Sequence, residues 1–339
     1  MPKTQPPKDQ SANENIAIVV PCYKERDQII DVLSNIGPIA RWIFVVDDAC
    51  PDNTGDFVEA NINDPRVVVS RNKKNMGVGG TTLAGYRQAI NAGADIIVKL
   101  DGDGQMDPAL IPQIIAPIQA GQADYSKGNR LHRADAARGM PFIRLFGNIA
   151  LTFMSKVSSG YWTIMDPTNG FTAIHARVAK ELVDQDIANG YFFESDLLFR
   201  LGGLNAVVQD VPMQAKYGDE ESSLSIRRVF LSFLTGHICN AYRRIFDTYF
   251  IRDPGITTLE LVFGKLLLLF GIVFGSYHWW RSVETGIPAT AGTVILAAVP
   301  VILGVQFILA FISSDIRRVP TTPIHPSLPP LNGAITKVE

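Results

Sequence analysis

Three acids, Asp101, Asp103 and Asp107, follow an apolar run in VKLDGDGQMDP, residues 98–108. Carboxylates two apart on an extended end, with glycines permitting a tight bend, can offer oxygen ligands to a hard cation such as Mg²⁺ or Mn²⁺. Mg²⁺ usually takes one or two protein carboxylates and completes its shell with substrate phosphates. The string therefore reads as a diphosphate–metal site, with an acidic turn as the alternative. A calcium loop starts similarly, but its twelfth position, counted from Asp101, must be Glu and is Pro112 here. Such a loop also lies between helices rather than after a strand. A second acidic pair, Asp47 and Asp48, closes WIFVVDD. Asp47 stands where it can hydrogen-bond a base, and Asp48 can do likewise; the alternative for both is a helix or turn cap.

These acids need elements to hold them. IAIVVP (16–21), WIFVVDD (42–48), RVVVS (66–70) and ADIIVKLD (94–101) have the short apolar character of strands. DQIIDVLSNI (27–36) and TTLAGYRQAINAG (81–93) have helical spacing, the second stopped by Gly93. Strands alternating with helices predict an α/β unit with a mainly parallel sheet, whose ligands bind beyond the carboxyl ends of the strands. Both acidic groups sit at such ends. The GVGG before the second helix is not a complete phosphate-binding GxGxxG and reads as a helix start that permits close packing. The intervening RNKKN disfavours a dinucleotide-binding dehydrogenase.

The chain has 339 residues, with 31 Lys and Arg against 33 Asp and Glu, so no basic excess points to nucleic acid. Three cysteines, Cys22, Cys50 and Cys239, show no metal spacing. Residues 1–15 read as a flexible polar tail without a secretory signal. Residues 226–255 mix bulky apolar side chains with arginines, as does an amphipathic helix on a membrane surface; the alternative is a helix packed on the preceding domain. Residues 256–314 contain two apolar stretches, 259–280 and 291–312, each near the ~20 residues that cross a bilayer. The alternative there is a buried helix pair. The short link RSVETGIP makes them a hairpin, and arginines outside its ends put the preceding domain (16–225) and both termini in the cytoplasm. The proline-rich tail within 315–339 is expected to be disordered.

The motifs taken together resemble family 2 glycosyltransferases. Pro21, Tyr23 and Glu25 in VVPCYKERD match the family's Pro-x-Tyr-(Asn)-Glu, and VVDDACPDNTGD matches its second-strand motif at Asp47, Asp48, Asp52 and Thr54. LDGDGQ falls at the Asp-x-Asp metal motif, with Gln105 where the dolichyl-phosphate mannose synthase-like branch carries Gln. KGNRL (127–131), DPTNGFTAI (166–174), GYFFESDLLFRL (190–201) and KYGDEESSL (216–224) resemble later motifs of that branch, and the terminal hairpin is similar to bacterial polyprenyl-phosphate members. The resemblance spans roughly 16–225.

It implies a GT-A (Rossmann-like) catalytic domain, followed by amphipathic juxtamembrane helices and a two-helix transmembrane hairpin. It also implies a membrane-anchored inverting transferase that moves a sugar from a UDP- or GDP-linked donor to an undecaprenyl- or dolichyl-type phosphate, in a bacterial inner membrane. On this resemblance Asp101, Asp103 and Gln105 hold Mg²⁺ or Mn²⁺, and Pro21, Tyr23, Glu25, Asp47, Asp48, Asp101 and Lys216 contact the donor. Arg130 holds phosphate, as Lys216 can, and Asp196 lies near the attacking oxygen. A phosphate with its second pKa near ~6 scarcely needs a general base, so Asp196 orients the acceptor or acts as base. Thr172 and Ser223 stand where the branch has Arg and Lys, which puts acceptor contacts in doubt; Arg138 and Arg144 are candidates to compensate. Rival readings are a transferase elongating a lipid-linked glycan or polysaccharide, and a non-catalytic membrane scaffold. The sequence leaves sugar, metal and homo-oligomerisation open.

Overall fold

A computed structural model describes residues 14–132, 142–213 and 226–331, with side chains described from Phe146 and Leu231 onward in the last two segments. The chain divides into two compact units. The first ends at Asn240 and resumes at Pro320; the second is Ala241–Val319. The junction at Asn240 falls within the helix Ile226–Phe246, and the residues from Pro320 belong to the first unit.

The first unit is built on a seven-stranded sheet in the order β3-β2-β1-β4-β6-β5-β7. Strands β1 (Ile16–Cys22), β2 (Ala40–Asp47), β3 (Val67–Arg71) and β4 (Ile96–Lys99) are parallel to one another. β6 (Thr172–His175) runs antiparallel to β4 and to β5 (Tyr125–Asn129), and β5 pairs in parallel with β7 (Val208–Pro212). β1 and β4 are buried over their whole length, as continuous apolar runs in a sheet covered on both faces must be. Ile18, Val20, Val98 and Phe171 share one core cluster with Ile29 of α1 (Ile29–Ser34) and Ile114 of α4 (Ile111–Gln119).

On the other face, α3 (Gly77–Ala92) lies against β1. A Cβ at Gly85 would meet Val19 Cγ1 at 2.2 Å, so glycine is required where helix and strand approach. α3 begins four residues earlier than the predicted 81, taking GVGG into its first turn. α2 (Thr54–Asn61) and α6 (Ala176–Leu182) complete the layers around α3 and β2.

α5 (Phe142–Ser159), α7 (Phe193–Leu204) and α8 (Ile226–Phe246) follow. Part of the segment expected on a membrane surface is packed instead. His237 Nδ1 lies 2.8 Å from Ser158 Oγ, and Gly236 closes on the Phe192 ring. The same stretch exposes Leu231 and Ile238, while α5 exposes Phe146, Ile149 and Phe153 at helical spacing.

The second unit consists of α9 (Ile256–Thr285) and α10 (Ala291–Ile316), preceded by a π-helical turn over Asp247–Arg252. The helices run antiparallel, with Gly264 against Ile308, Gly304 against Leu268 and Gly271 against Val301. Small residues at such contacts let the two helix backbones approach closely. Thirty and 26 residues, at ~1.5 Å each, exceed the ~30 Å bilayer core. At one end of the pair Asp315 takes both Arg244 nitrogens, at 2.7 and 3.0 Å, and the Tyr249 hydroxyl at 2.5 Å.

The proline-rich tail, expected to be disordered, is docked through Leu331 on the first unit. Asp124, with no exposed surface, accepts the amides of Val207 (2.7 Å), Ile324 (2.9 Å) and His325 (2.8 Å), and its Oδ1 lies 2.8 Å from His325 Nδ1. The His325 ring stacks on His175 at 4.3 Å, and Arg177 donates to the carbonyls of His325 and Leu328. Composition misleads here because prolines lower the entropy cost of ordering a segment once a buried acceptor awaits its amides.

Acid should loosen this strap. Burial, then the His325 and Arg177 charges, hold His175 down to about 4, against an ordinary value near ~6.5. The unfolded chain is protonated first, so stability falls as pH drops from about 6.5 towards 4. Burial would raise Asp124, but the hydrogen bonds from His325, Val207 and Ile324 outweigh it and hold the carboxyl below its usual value. Its contribution is present above pH ~4 and is lost as pH falls through that lower value. Denaturant unfolding in detergent should show the decline, and His175→Phe should flatten it between pH ~6.5 and ~4.

Candidate functional site

A cavity of about 590 Å³ opens beyond the carboxyl ends of β1 and β4. Because the two strands are parallel neighbours, Pro21, Tyr23 and Glu25 after one meet Asp101 and Asp103 after the other. The start of α3, Thr168 and Gly170 before β6, and Tyr191 and Glu194 around the start of α7 complete the wall. The turn is tight: a Cβ at Gly102 would lie 2.3 Å from Glu25 Oε2, and Gly104 has φ +73°. Gln105 N donates to Asp103 Oδ1 at 2.9 Å, but Gln105 itself does not line the cavity.

Lys99, the last residue of β4, is 1 % exposed. Its ammonium lies 2.7 Å from Asp101 Oδ1 and 3.2 Å from Glu194 Oε1. Burial would lower Lys99, but the two carboxylates outweigh it and keep it charged. Burial, opposed by Lys99 and aided by the Asp101 charge, raises Glu194. Gly170 closes the cluster: a Cβ there would stand 2.5 Å from Asp101 Oδ2 and 2.6 Å from Lys99 Nζ. Lys99 binds one Asp101 oxygen and leaves the cavity-lining carboxylate another to offer. Among the described residues, no group of three or more His, Cys, Asp or Glu is arranged to hold a metal ion. Two carboxylates on one wall nonetheless fit a cation that fills its shell from a ligand's phosphates.

The second-strand acids serve the backbone. Asp47 is buried, takes the amides of Cys50 and Gly55 at 2.7 Å each, and lies outside the cavity lining, so it holds the start of α2 rather than facing a base. Asp48 takes Asn72 Nδ2 and the amides of Met76 and Gly77 at 2.7–2.8 Å, which fixes the start of α3, and it does line the cavity. GVGG serves close packing: Gly79 N donates to Asn189 O, and a Cβ at Gly79 would meet Ala188 O at 2.4 Å.

Arg130 is held by Asp166 through two parallel contacts, 2.8 and 2.9 Å, and does not line the cavity. Buried Lys127 donates to the carbonyls of Met165 and Asp166 beneath it. Asp196 points away from the cavity, its carboxylate accepting Ala188 N at 2.9 Å and Asn240 Nδ2 at 2.8 Å. Glu194, two residues earlier on α7, is the acid that faces in. Lys216 and Arg138 lie outside the described residues, as does the Arg144 side chain. Sequence reasoning missed Lys99, which reads as part of an apolar strand. Its only signal was one charge in a run of Ile and Val.

Gly170→Ala should lower stability by about 1–3 kcal/mol through the clash with Asp101 and Lys99. Gly203→Ala, on α7 with nothing near its Cβ position, should instead be neutral or stabilising by up to about 1 kcal/mol. Denaturant midpoints of the two variants measure the contrast.

Residues 17–183 match the family model described as glycosyl transferase family 2. A UDP-N-acetylglucosamine–dolichyl-phosphate N-acetylglucosaminyltransferase of Methanococcus voltae is 29 % identical over 61 % of this chain and 87 % of its own. An undecaprenyl-phosphate mannosyltransferase of Micrococcus luteus is 27 % identical over 58 % and 82 %, respectively. A dolichol-phosphate mannosyltransferase of Pyrococcus furiosus is 26 % identical over 80 % and 74 %. Glucosyl-3-phosphoglycerate synthase of Mycobacterium tuberculosis, solved with phosphoglyceric acid, superimposes with a TM-score of 0.51 at 20 % identity, covering 69 % of this chain and 80 % of that one. The α/β expectation thus holds as a GT-A-like sheet. The domain built around the Asp101–Asp103 wall belongs to glycosyl transferase family 2.

Proposed function

We propose that this chain is a membrane-anchored, metal-dependent inverting glycosyltransferase that moves a sugar from a nucleoside diphosphate donor onto a polyprenyl phosphate. The observation that carries the reading is the meeting of Asp101 and Asp103 with the β1 end in one cavity, on a chain that also has two bilayer-length apolar helices. The three named relatives each act, by their names, with a dolichyl, dolichol or undecaprenyl phosphate.

In this reading Asp101 and Asp103 hold a divalent cation against the donor's diphosphate. When bound, that cation supplies charge neutralisation for the departing nucleoside diphosphate. Tyr23 and the Asp48-capped start of α3 form the wall for the nucleotide, and Tyr191 and Phe233 shield the opposite side from water. An acceptor phosphate oxygen attacks the anomeric carbon as the bond to the diphosphate breaks. The dianion carries its own nucleophilic charge, so no side chain need remove a proton. Glu194 fits the acceptor side better than Asp196, whose oxygens are taken. The two apolar helices would tether the chain to the membrane in which the acceptor phosphate is confined. Exposed Phe146, Ile149 and Phe153 on α5 suit the same surface. The arginines outside the hairpin favour a cytoplasmic catalytic domain in a bacterial inner membrane.

Asp103→Asn should lower transfer by about 100-fold or more while leaving detergent extraction from membranes unchanged. The assay follows labelled sugar from UDP- and GDP-linked donors with Mg²⁺ or Mn²⁺. Transfer to bare polyprenyl phosphate supports the reading. Transfer only to a lipid-linked sugar makes the chain an elongating enzyme, and retained activity in the variant removes the metal assignment.

A further inference from the structure

The buried lysine beneath the cavity has no place in the chemistry above. Lys99 is wholly enclosed, and a charge in such a position is costly unless paired. It is paired twice, to Asp101 Oδ1 at 2.7 Å and to Glu194 Oε1 at 3.2 Å, with Gly170 O at 3.4 Å as a further acceptor. One of those carboxylates is also a proposed cation ligand. A fixed ammonium on Asp101 competes for its charge and repels any second cation brought to its other oxygen. Yet the wall is otherwise poor in ligands, since no third acid, His or Cys joins Asp101 and Asp103 among the described residues.

Resting on the reading of Asp101 and Asp103 as a cation site, we propose that Lys99 is a built-in counter-charge that makes cation binding conditional on the donor's diphosphate. With Lys99 in place, two carboxylates hold a divalent ion weakly. The diphosphate supplies both the missing oxygens and the missing negative charge, so ion and nucleotide bind together. Glu194 sets the strength of this brake by taking part of the Lys99 charge. The arrangement suits an enzyme whose nucleoside diphosphate product must leave, because the ion loses its hold when the nucleotide departs. Lys99 acts through Asp101 and is a positioning residue.

The test measures Mn²⁺ binding to the full chain in detergent, by loss of the free-ion electron paramagnetic resonance signal, with no nucleotide, with UDP and with GDP. Wild type should bind Mn²⁺ at least about tenfold more tightly with one of the nucleotides than without. Lys99→Met should bind Mn²⁺ alone about tenfold or more tightly than wild type does. The double variant Lys99→Met with Glu194→Gln, which removes a whole ion pair, should fall between them. Glu194→Gln alone should bind more weakly than wild type. A merely structural role for Lys99 would weaken binding in every variant and would not produce this order. Tight Mn²⁺ binding by wild type without nucleotide overturns the proposal, as do Lys99→Met variants that bind no better. Should Lys99→Met fail to fold, the double variant and Glu194→Gln carry the same comparison, and tighter binding by Glu194→Gln alone overturns it. If wild type takes no Mn²⁺ with either nucleotide, the metal reading of Asp101 and Asp103 itself fails; nucleotide-dependent binding without the variant order removes only the role of Lys99.

Discussion

A charged lysine enclosed at the end of a central strand must be neutralised, and that requirement organises the cavity. Lys99 cannot shed its charge to solvent, so Asp101 and Glu194 converge on it from β4 and α7. Those two carboxylates come from parts of the chain 93 residues apart, and at Gly170, just before β6, a Cβ would crowd Asp101 and Lys99. One ion cluster thereby ties three elements together at the mouth of the sheet. The acid that family motifs place first, Asp101, inherits its orientation from that cluster.

Around it the fold divides labour among its acids. Asp47 and Asp48 hold the starts of α2 and α3, Asp166 holds Arg130, and Asp124 holds the returning tail. Asp47, Asp48 and Asp124 satisfy backbone amides that would otherwise lose their acceptors, at a cost of about 1–3 kcal/mol apiece. The strand-end pair, Asp101 and Asp103, lines the cavity together with Glu194.

The tail has a related logic. The chain leaves the first unit at Asn240 and returns to it at Pro320. The rejoining contact is made by backbone amides and one imidazole on a wholly buried carboxylate. Nothing in proline-rich composition announces such a contact, since the acceptor lies 200 residues away in sequence.

Much of the architecture was legible in the residues themselves. Short apolar runs, two of them ending in acids, specified four parallel strands, because strands covered on both faces admit few polar side chains. Two apolar stretches of bilayer length, the first carrying Glu260 and Lys265 near one end and the second uncharged, marked out the two long helices, because few other segments sustain ~20 largely apolar residues. Asp101 and Asp103, singled out by their spacing, line the cavity. Three-dimensional packing decided the rest: that Glu194 rather than Asp196 faces the cavity, that Asp47 is spent on amides, and that Lys99 underlies Asp101. Those outcomes turn on which neighbour reaches a side chain first, and such neighbours come from strands and helices that only the folded sheet brings together.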